Sequence, residues 1–250
     1  MRSNLFPRLA SLIPILVALV ASAQAPPRLQ PPGVLPGSAS LPPFCIPVTI
    51  GSEGPFLFGF DTGASRTTVT PELVKSLKLP VTGSAQITDA SDSVHHTVAA
   101  VRLPALETLG HGFAAHTAVV VQSTEQGCPR PVSGTLGLGL FPQFLLTLDL
   151  QAGSVALARG SLSEEDPHTV TYQVHPALPM VKIAVGPVLL HAGVDSGLQS
   201  ALSFPASRAD ELPLGPVLAT GRMRTVAGEF SFKQARLYGT LVLGGNDVPA

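Results

Sequence analysis

At 250 residues, 45% hydrophobic and only 12% charged, the chain has ample apolar material for a core and is not a disordered polyelectrolyte. A net charge of −1 without any basic block excludes the concentrated positive surface that nucleic acid requires. With no Trp and two Tyr there is no platform for stacking bases either. The length suits one two-lobed domain or two small ones.

Residues 1–23 read as a signal peptide. Arg2 and Arg8 supply the positive region, and the apolar run at 9–20 is 12 residues long, too short to span a bilayer. Ala21-Ser22-Ala23 and Ala23-Gln24-Ala25 are both small-x-small cleavage sites; an uncleaved anchor is the alternative, against which Pro14 and the short run count. The mature chain is therefore expected to be periplasmic or secreted, with no stable membrane span. Residues 24–43 hold seven prolines, from Pro26 to Pro43, and read as an extended linker outside the fold.

The folded part opens with a strand at 44–50, a turn at 51–55 and a second strand at 56–60. That strand leads into Phe56-Leu57-Phe58-Gly59-Phe60-Asp61-Thr62-Gly63-Ala64-Ser65, an apolar run that delivers one carboxylate to a Thr-Gly turn. Apolar flanks push Asp61 toward the interior, where ionisation is costly unless the group is hydrogen-bonded or paired. Taken alone, the stretch is equally a strand ending in an ordinary turn. Thr70, Pro71 and Glu72 then open a short helix to about residue 77, as N-cap, first helical residue and first-turn acid. Short β-type runs broken by turn residues follow from 81 to 121, the pattern of an all-β lobe. Gly134-Thr135-Leu136-Gly137-Leu138-Gly139 has GxxGxG spacing rather than the GxGxxG fingerprint, so a nucleotide role is not expected.

A second copy of the design begins 134 residues further on, in Val188-Leu189-Leu190-His191-Ala192-Gly193-Val194-Asp195-Ser196-Gly197. Gly59 and Gly193 stand two residues before the aspartates; Pro71 and Pro205 stand ten after. Leu79-Pro80 and Leu212-Pro213 close the segments that follow, and Val48-Thr49-Ile50 matches Val181-Lys182-Ile183 upstream. A repeat at this level implies two copies of one supersecondary unit.

Asp61-Thr62-Gly63-Ala64-Ser65 resembles the active-site signature of aspartic proteases. The doubled arrangement resembles the bacterial retropepsin-like aspartyl protease family with two lobes in one chain. The resemblance implies an all-β, bilobal acid-protease (pepsin/retropepsin-like) β-barrel fold with short helices. It divides the chain into a first lobe at 44–158, an interlobe connection at 159–175 and a second lobe at 176–250. The implied activity is that of an exported aspartic endopeptidase acting on a peptide or protein, without cofactor or metal. Asp61 and Asp195 would be the catalytic pair, supported by Thr62, Gly63, Ser196 and Gly197, with Thr62 and Ser196 bracing the two loops through their hydroxyls. Ser65 and Gln199 would touch the substrate backbone, and hairpins at 87–98 and 218–232, neither containing Tyr, would be flaps. The segment 134–139 would pass beneath the Asp61 loop.

Other chemistry is weaker. Ser196 lacks the GxSxG elbow of a serine hydrolase. His191 reads as a strand residue, and the spacing of His111 and His116 suits neither one helix face nor one strand face. Two cysteines without clustered histidines make a poor zinc site. In an oxidising compartment Cys45 and Cys128 form a disulfide more often than two free thiols.

Two features depart from the family's pattern. Only 55 residues follow Asp195, whereas 76 separate Asp61 from Gly137, so the second lobe looks incomplete. Leu241-Val242-Leu243-Gly244-Gly245 aligns with Ala118-Val119-Val120-Val121 better than with 134–139. Leu198 stands where the first motif has Ala64. These features keep open a catalytically inactive, protease-like peptide-binding or scaffold module of the cell envelope, and a homodimer that shares lobes.

Overall fold

The computed structural model describes residues 44–248 apart from 89–94, 123–127, 129, 150–153, 164, 167–168, 176–177, 199–201, 226–227 and 245. The signal segment, the proline-rich linker and Gln199 lie outside the described residues.

The first half of the chain alternates strand and turn: β1 (Cys45–Ile50), β2 (Glu53–Asp61), β3 (Thr68–Val69), the helix α1 (Pro71–Ser76), β4 (Val81–Thr88), β5 (His95–Leu103), β6 (Leu106–Thr108), β7 (His111–Phe113), β8 (His116–Val120) and β9 (Gly134–Gly137). These nine strands make one sheet in the order β4-β5-β8-β3-β9-β2-β1-β6-β7, curled into a half-barrel. Alternation explains β1: Ile46, Val48 and Ile50 are buried while the residues between them face outward or lie at the margin. β2 begins at Glu53, inside the stretch expected as a turn, because Glu53 pairs back onto Ile50 across a bulge. Helix α1 is capped as its sequence requires: the Thr70 hydroxyl accepts from Leu73 N at 3.2 Å, and Leu73 is its buried residue.

The core sits under β1, β2 and β9, with Val48, Phe58, Val101 and Leu136 fully enclosed. Phe60, the residue before Asp61, stacks edge-on to Phe44 and tilts against Phe141, fixing the end of β2 in apolar surroundings. A 3₁₀ turn (Leu138–Leu140) and the hairpin of β10 (Leu145–Asp149) and β11 (Ser154–Ala158) close this half, placing Leu146 and Leu148 in the core. Cys45 and Cys128 are joined as a disulfide, which ties the start of β1 to the segment leading into β9.

The second half contains β12 (Gln173–His175), β13 (Leu178–Val185), β14 (Val188–Gly193), a 3₁₀ helix (Ala206–Glu211), β15 (Leu214–Thr225), β16 (Gly228–Leu237), β17 (Leu241–Leu243) and β18 (Asn246–Val248). The β13–β14 hairpin repeats β1–β2. The segment after the second motif, which matches α1 in sequence position, is a 3₁₀ helix rather than an α-helix, and its N-cap, Pro205, makes no side-chain cap bond. β15 and β16 form a separate two-stranded ribbon in the sequence position of the β4–β5 hairpin.

One sequence alignment is corrected. β17 pairs antiparallel with β13 and then with β18, just as β6 pairs antiparallel with β1 and then with β7. Leu241-Val242-Leu243 therefore matches Leu106-Glu107-Thr108, not Ala118 to Val121. Both are short apolar runs, and only the pairing partner separates them. Among the described residues, the second half repeats the first as far as β7 and shows no counterpart of β8 or β9.

Candidate active site

Two loops, at the ends of β2 and β14, carry the paired motifs, and they are built alike. In the first, Gly63 N donates to Asp61 Oδ1 at 2.7 Å, and Ala64 N donates to the Asp61 carbonyl at 3.3 Å. In the second, Gly197 N donates to Asp195 Oδ1 at 2.8 Å, and Leu198 N donates to the Asp195 carbonyl at 3.4 Å. Each carboxyl is thus oriented by its own turn, through a backbone donor two residues on.

The loops meet. Thr62 N donates to Ser196 Oγ at 3.0 Å, and Ser196 N donates to Thr62 Oγ1 at 2.8 Å. Thr62 Oγ1 in turn donates to the Val194 carbonyl at 2.8 Å. Thr62 is almost wholly buried, 1% exposed, so its three bonds, one through the backbone and two through the hydroxyl, are made away from water, where each would be costly to leave unmade. The Val194 carbonyl is a partner that no side-chain pattern announces, since a backbone acceptor carries no residue signature.

The same junction brings the aspartates together. A Cβ added to Gly63 would lie 2.7 Å from Asp195 Cγ, and one added to Gly197 would lie 3.0 Å from Asp61 Cγ. Each carboxyl therefore rests on the opposite loop's glycine, at a spot that a larger residue would occupy. Asp61 and Asp195 are both half-buried, and Ser65 is exposed on the rim of its loop. Leu198 is half-buried at the position matching Ala64.

The floor of the first loop is β9. It runs parallel to β2, with Gly59, Phe60 and Asp61 opposite Thr135, Leu136 and Gly137, and antiparallel to β3. Leu138 N donates to the Ala64 carbonyl at 2.9 Å. A Cβ on Gly137 would come within 2.5 Å of that carbonyl and 2.6 Å of the Arg66 carbonyl, so only glycine fits. Thr68 adds a side-chain contact that sequence reading missed, accepting from Thr135 N at 3.1 Å.

Among the described residues no group of three or more His, Cys, Asp or Glu side chains is placed to hold a metal ion, and no helix is long and apolar enough to cross a membrane.

A family model described as aspartyl protease matches residues 46–141. Among solved structures, a retropepsin-like aspartic protease from Rickettsia conorii matches at 21% identity and a TM-score of 0.30, covering 42% of this chain and 75% of that one. No curated protein matches the chain. The family match covers residues 46–141, which hold the Asp61 loop and its β9 floor, so that this part of the chain is similar to aspartyl proteases.

Proposed function

We propose that the chain is an aspartic endopeptidase, exported to the periplasm or the cell exterior, with Asp61 and Asp195 as its catalytic pair. The observation that carries this reading is the reciprocal seating of each carboxyl on the other loop's glycine, with Thr62 and Ser196 locking the two loops. Export is supported by the 1–23 segment and by the Cys45–Cys128 bond, which suits an oxidising compartment.

Two carboxyls held at one junction share a single proton, because like charges at about 3 Å cannot both ionise. They act as one coupled unit, so neither is assigned the acid or the base role. The ionised member takes a proton from a water lodged between them, and that water attacks the scissile carbonyl. The protonated member hydrogen-bonds the carbonyl oxygen as it gains charge. The Gly63 and Gly197 amides hold each carboxyl in position throughout. The substrate is an extended peptide held by main-chain hydrogen bonds, with Ser65 at the rim placed to meet it and the β4–β5 and β15–β16 hairpins serving as flaps.

The test is cleavage of an unfolded protein substrate at mildly acid pH, with pepstatin as inhibitor. Asp61→Asn and Asp195→Asn should each lower kcat by about 10²–10⁴-fold, the usual yield of positioned acid–base groups. Full turnover by either variant overturns the assignment. A second reading, a peptide-binding module without turnover, is favoured by the described residues, among which no strand takes the place of β9 under the Asp195 loop. Tight peptide binding by the full chain with no hydrolysis would select it.

A further inference from the structure

Two registers meet at one residue of β9. The parallel pairing with β2 sets Gly137 opposite Asp61. On its other side β9 runs antiparallel to β3, with Thr68 opposite Thr135 and Val69 opposite Gly134. Carried two residues outward, that register sets Arg66 opposite the same Gly137. The contact is made: a Cβ on Gly137 would come within 2.6 Å of the Arg66 carbonyl. Asp61 and Arg66 thus flank one glycine. Neighbouring strands lie about 4.8 Å apart, so the two backbones are about 10 Å apart.

Arg66 is fixed at its root and free at its head. The carbonyls of Ala64 and Arg66 lie against Gly137 and that of Ser65 against Gly139, so backbone closes the underside of the loop. The next residue, Thr67, is buried, and its carbonyl accepts from Val119 N at 3.1 Å. Ser65 and Arg66 themselves are exposed, and no described residue forms an ion pair with Arg66. Among the described residues of the two loops, 61–66 and 195–198, Arg66 is the one charged group besides the aspartates. An unpaired guanidinium on an anchored stem is a planar fork of donors matched to a carboxylate.

We infer that Arg66 selects peptides carrying an acidic side chain close to the scissile bond, on one side of it only. The inference deepens the functional reading above and rests on it in one respect, that a peptide lies across the junction of the Asp61 and Asp195 loops. An extended peptide advances about 3.3 Å per residue, so a side chain within about three residues of the bond comes over Arg66. Its carboxylate accepts from the guanidinium, with the exposed Ser65 hydroxyl as a second donor beside it. The preference is one-sided because the loops differ here: five residues after Asp61 stands Arg66, whereas five after Asp195 stands Ser200. A charge at the rim of a binding surface acts in this way, on which partner is chosen.

The probes are capped, fluorescently labelled peptides, apolar except for one position in turn, which is Glu or Gln. Their binding is read by anisotropy on the full-length protein carrying Asp61→Asn, so that hydrolysis plays no part, at about pH 6, where Glu is ionised. At one position or two adjacent ones, the Glu peptide should bind about 10-fold more tightly than its Gln twin, the usual worth of a hydrogen bond to a charged group. Adding Arg66→Gln should remove that difference. Arg66→Glu should make Lys the preferred residue at the same position, a gain that a misfolded variant cannot show. Equal binding of Glu and Gln at every position overturns the inference, as does a Glu preference that survives Arg66→Gln. Cleavage by the unmodified protein without any Glu preference overturns this inference alone. A Glu preference in binding, by a chain that never cleaves, upholds it and overturns the endopeptidase reading. If no peptide is bound or cleaved, both fall.

Discussion

At the scale of single residues, the site is a set of reciprocal contacts between like-built loops, and the contacts differ in what they hold. Thr62 makes three hydrogen bonds across the junction, two of them through its hydroxyl, while the Ser196 hydroxyl accepts one. Thr62→Val should therefore destabilise by about 2–3 kcal/mol and Ser196→Ala by about 1 kcal/mol, read from urea unfolding midpoints. Equal losses would mean that the brace is not made as described. Gly63 calls for a different readout, because the atoms a Cβ would strike are the carboxyl end of Asp195, which can swing aside. Gly63→Ala should leave unfolding nearly unchanged yet lower kcat by about 10²-fold through misplacement of that carboxyl.

At the scale of elements, β9 and β2 act as one unit. β9 delivers no side chain to the chemistry; it supplies backbone beneath the loop that carries Asp61. Its glycine is surrounded by backbone oxygens that cannot rotate away, so Gly137→Ala should cost about 1–3 kcal/mol of stability, in contrast to Gly63→Ala. A urea midpoint unmoved by Gly137→Ala would show that the strand does not floor the loop so closely. The two hairpins proposed as flaps also differ physically. β5 is anchored through β8, whereas among the described strands β15 and β16 pair with each other alone, so the second ribbon has fewer bonds to restrain it.

At the scale of the whole molecule, stability is unevenly shared. The core runs from Phe44 to the β10–β11 hairpin, and the disulfide closes a loop of 83 residues within that half. Replacing Cys45 and Cys128 together by serine should cost about 4.5 kcal/mol by the loop-closure relation. The loss should appear as a lower unfolding midpoint of the first lobe, reproduced by reducing agent on the unmodified protein. If reduction leaves the midpoint where it was, the crosslink is not what ties β1 to the approach to β9.

How much of this was legible beforehand follows from the range over which each signal acts. Local chemistry spoke clearly: Thr70-Pro71 announced α1, alternation announced β1, and the repeated Asp-hydroxyl-Gly turns announced two like loops. The segment from Leu241 to Leu243 was misplaced because three apolar residues look the same whether they pair with β13 or with another strand. The 3₁₀ form of 206–211 was likewise hidden, since proline marks where a helix can begin but not how tightly it winds. The sequence by itself determined the two motifs, their separation and the all-β character, because those depend on side-chain type and short-range period. Only the tertiary structure decided that Asp61 rests on Gly197 and Asp195 on Gly63, and that Thr62 reaches the Val194 carbonyl. Each of those is a meeting of backbone or side-chain atoms more than a hundred residues apart, and no local pattern encodes it.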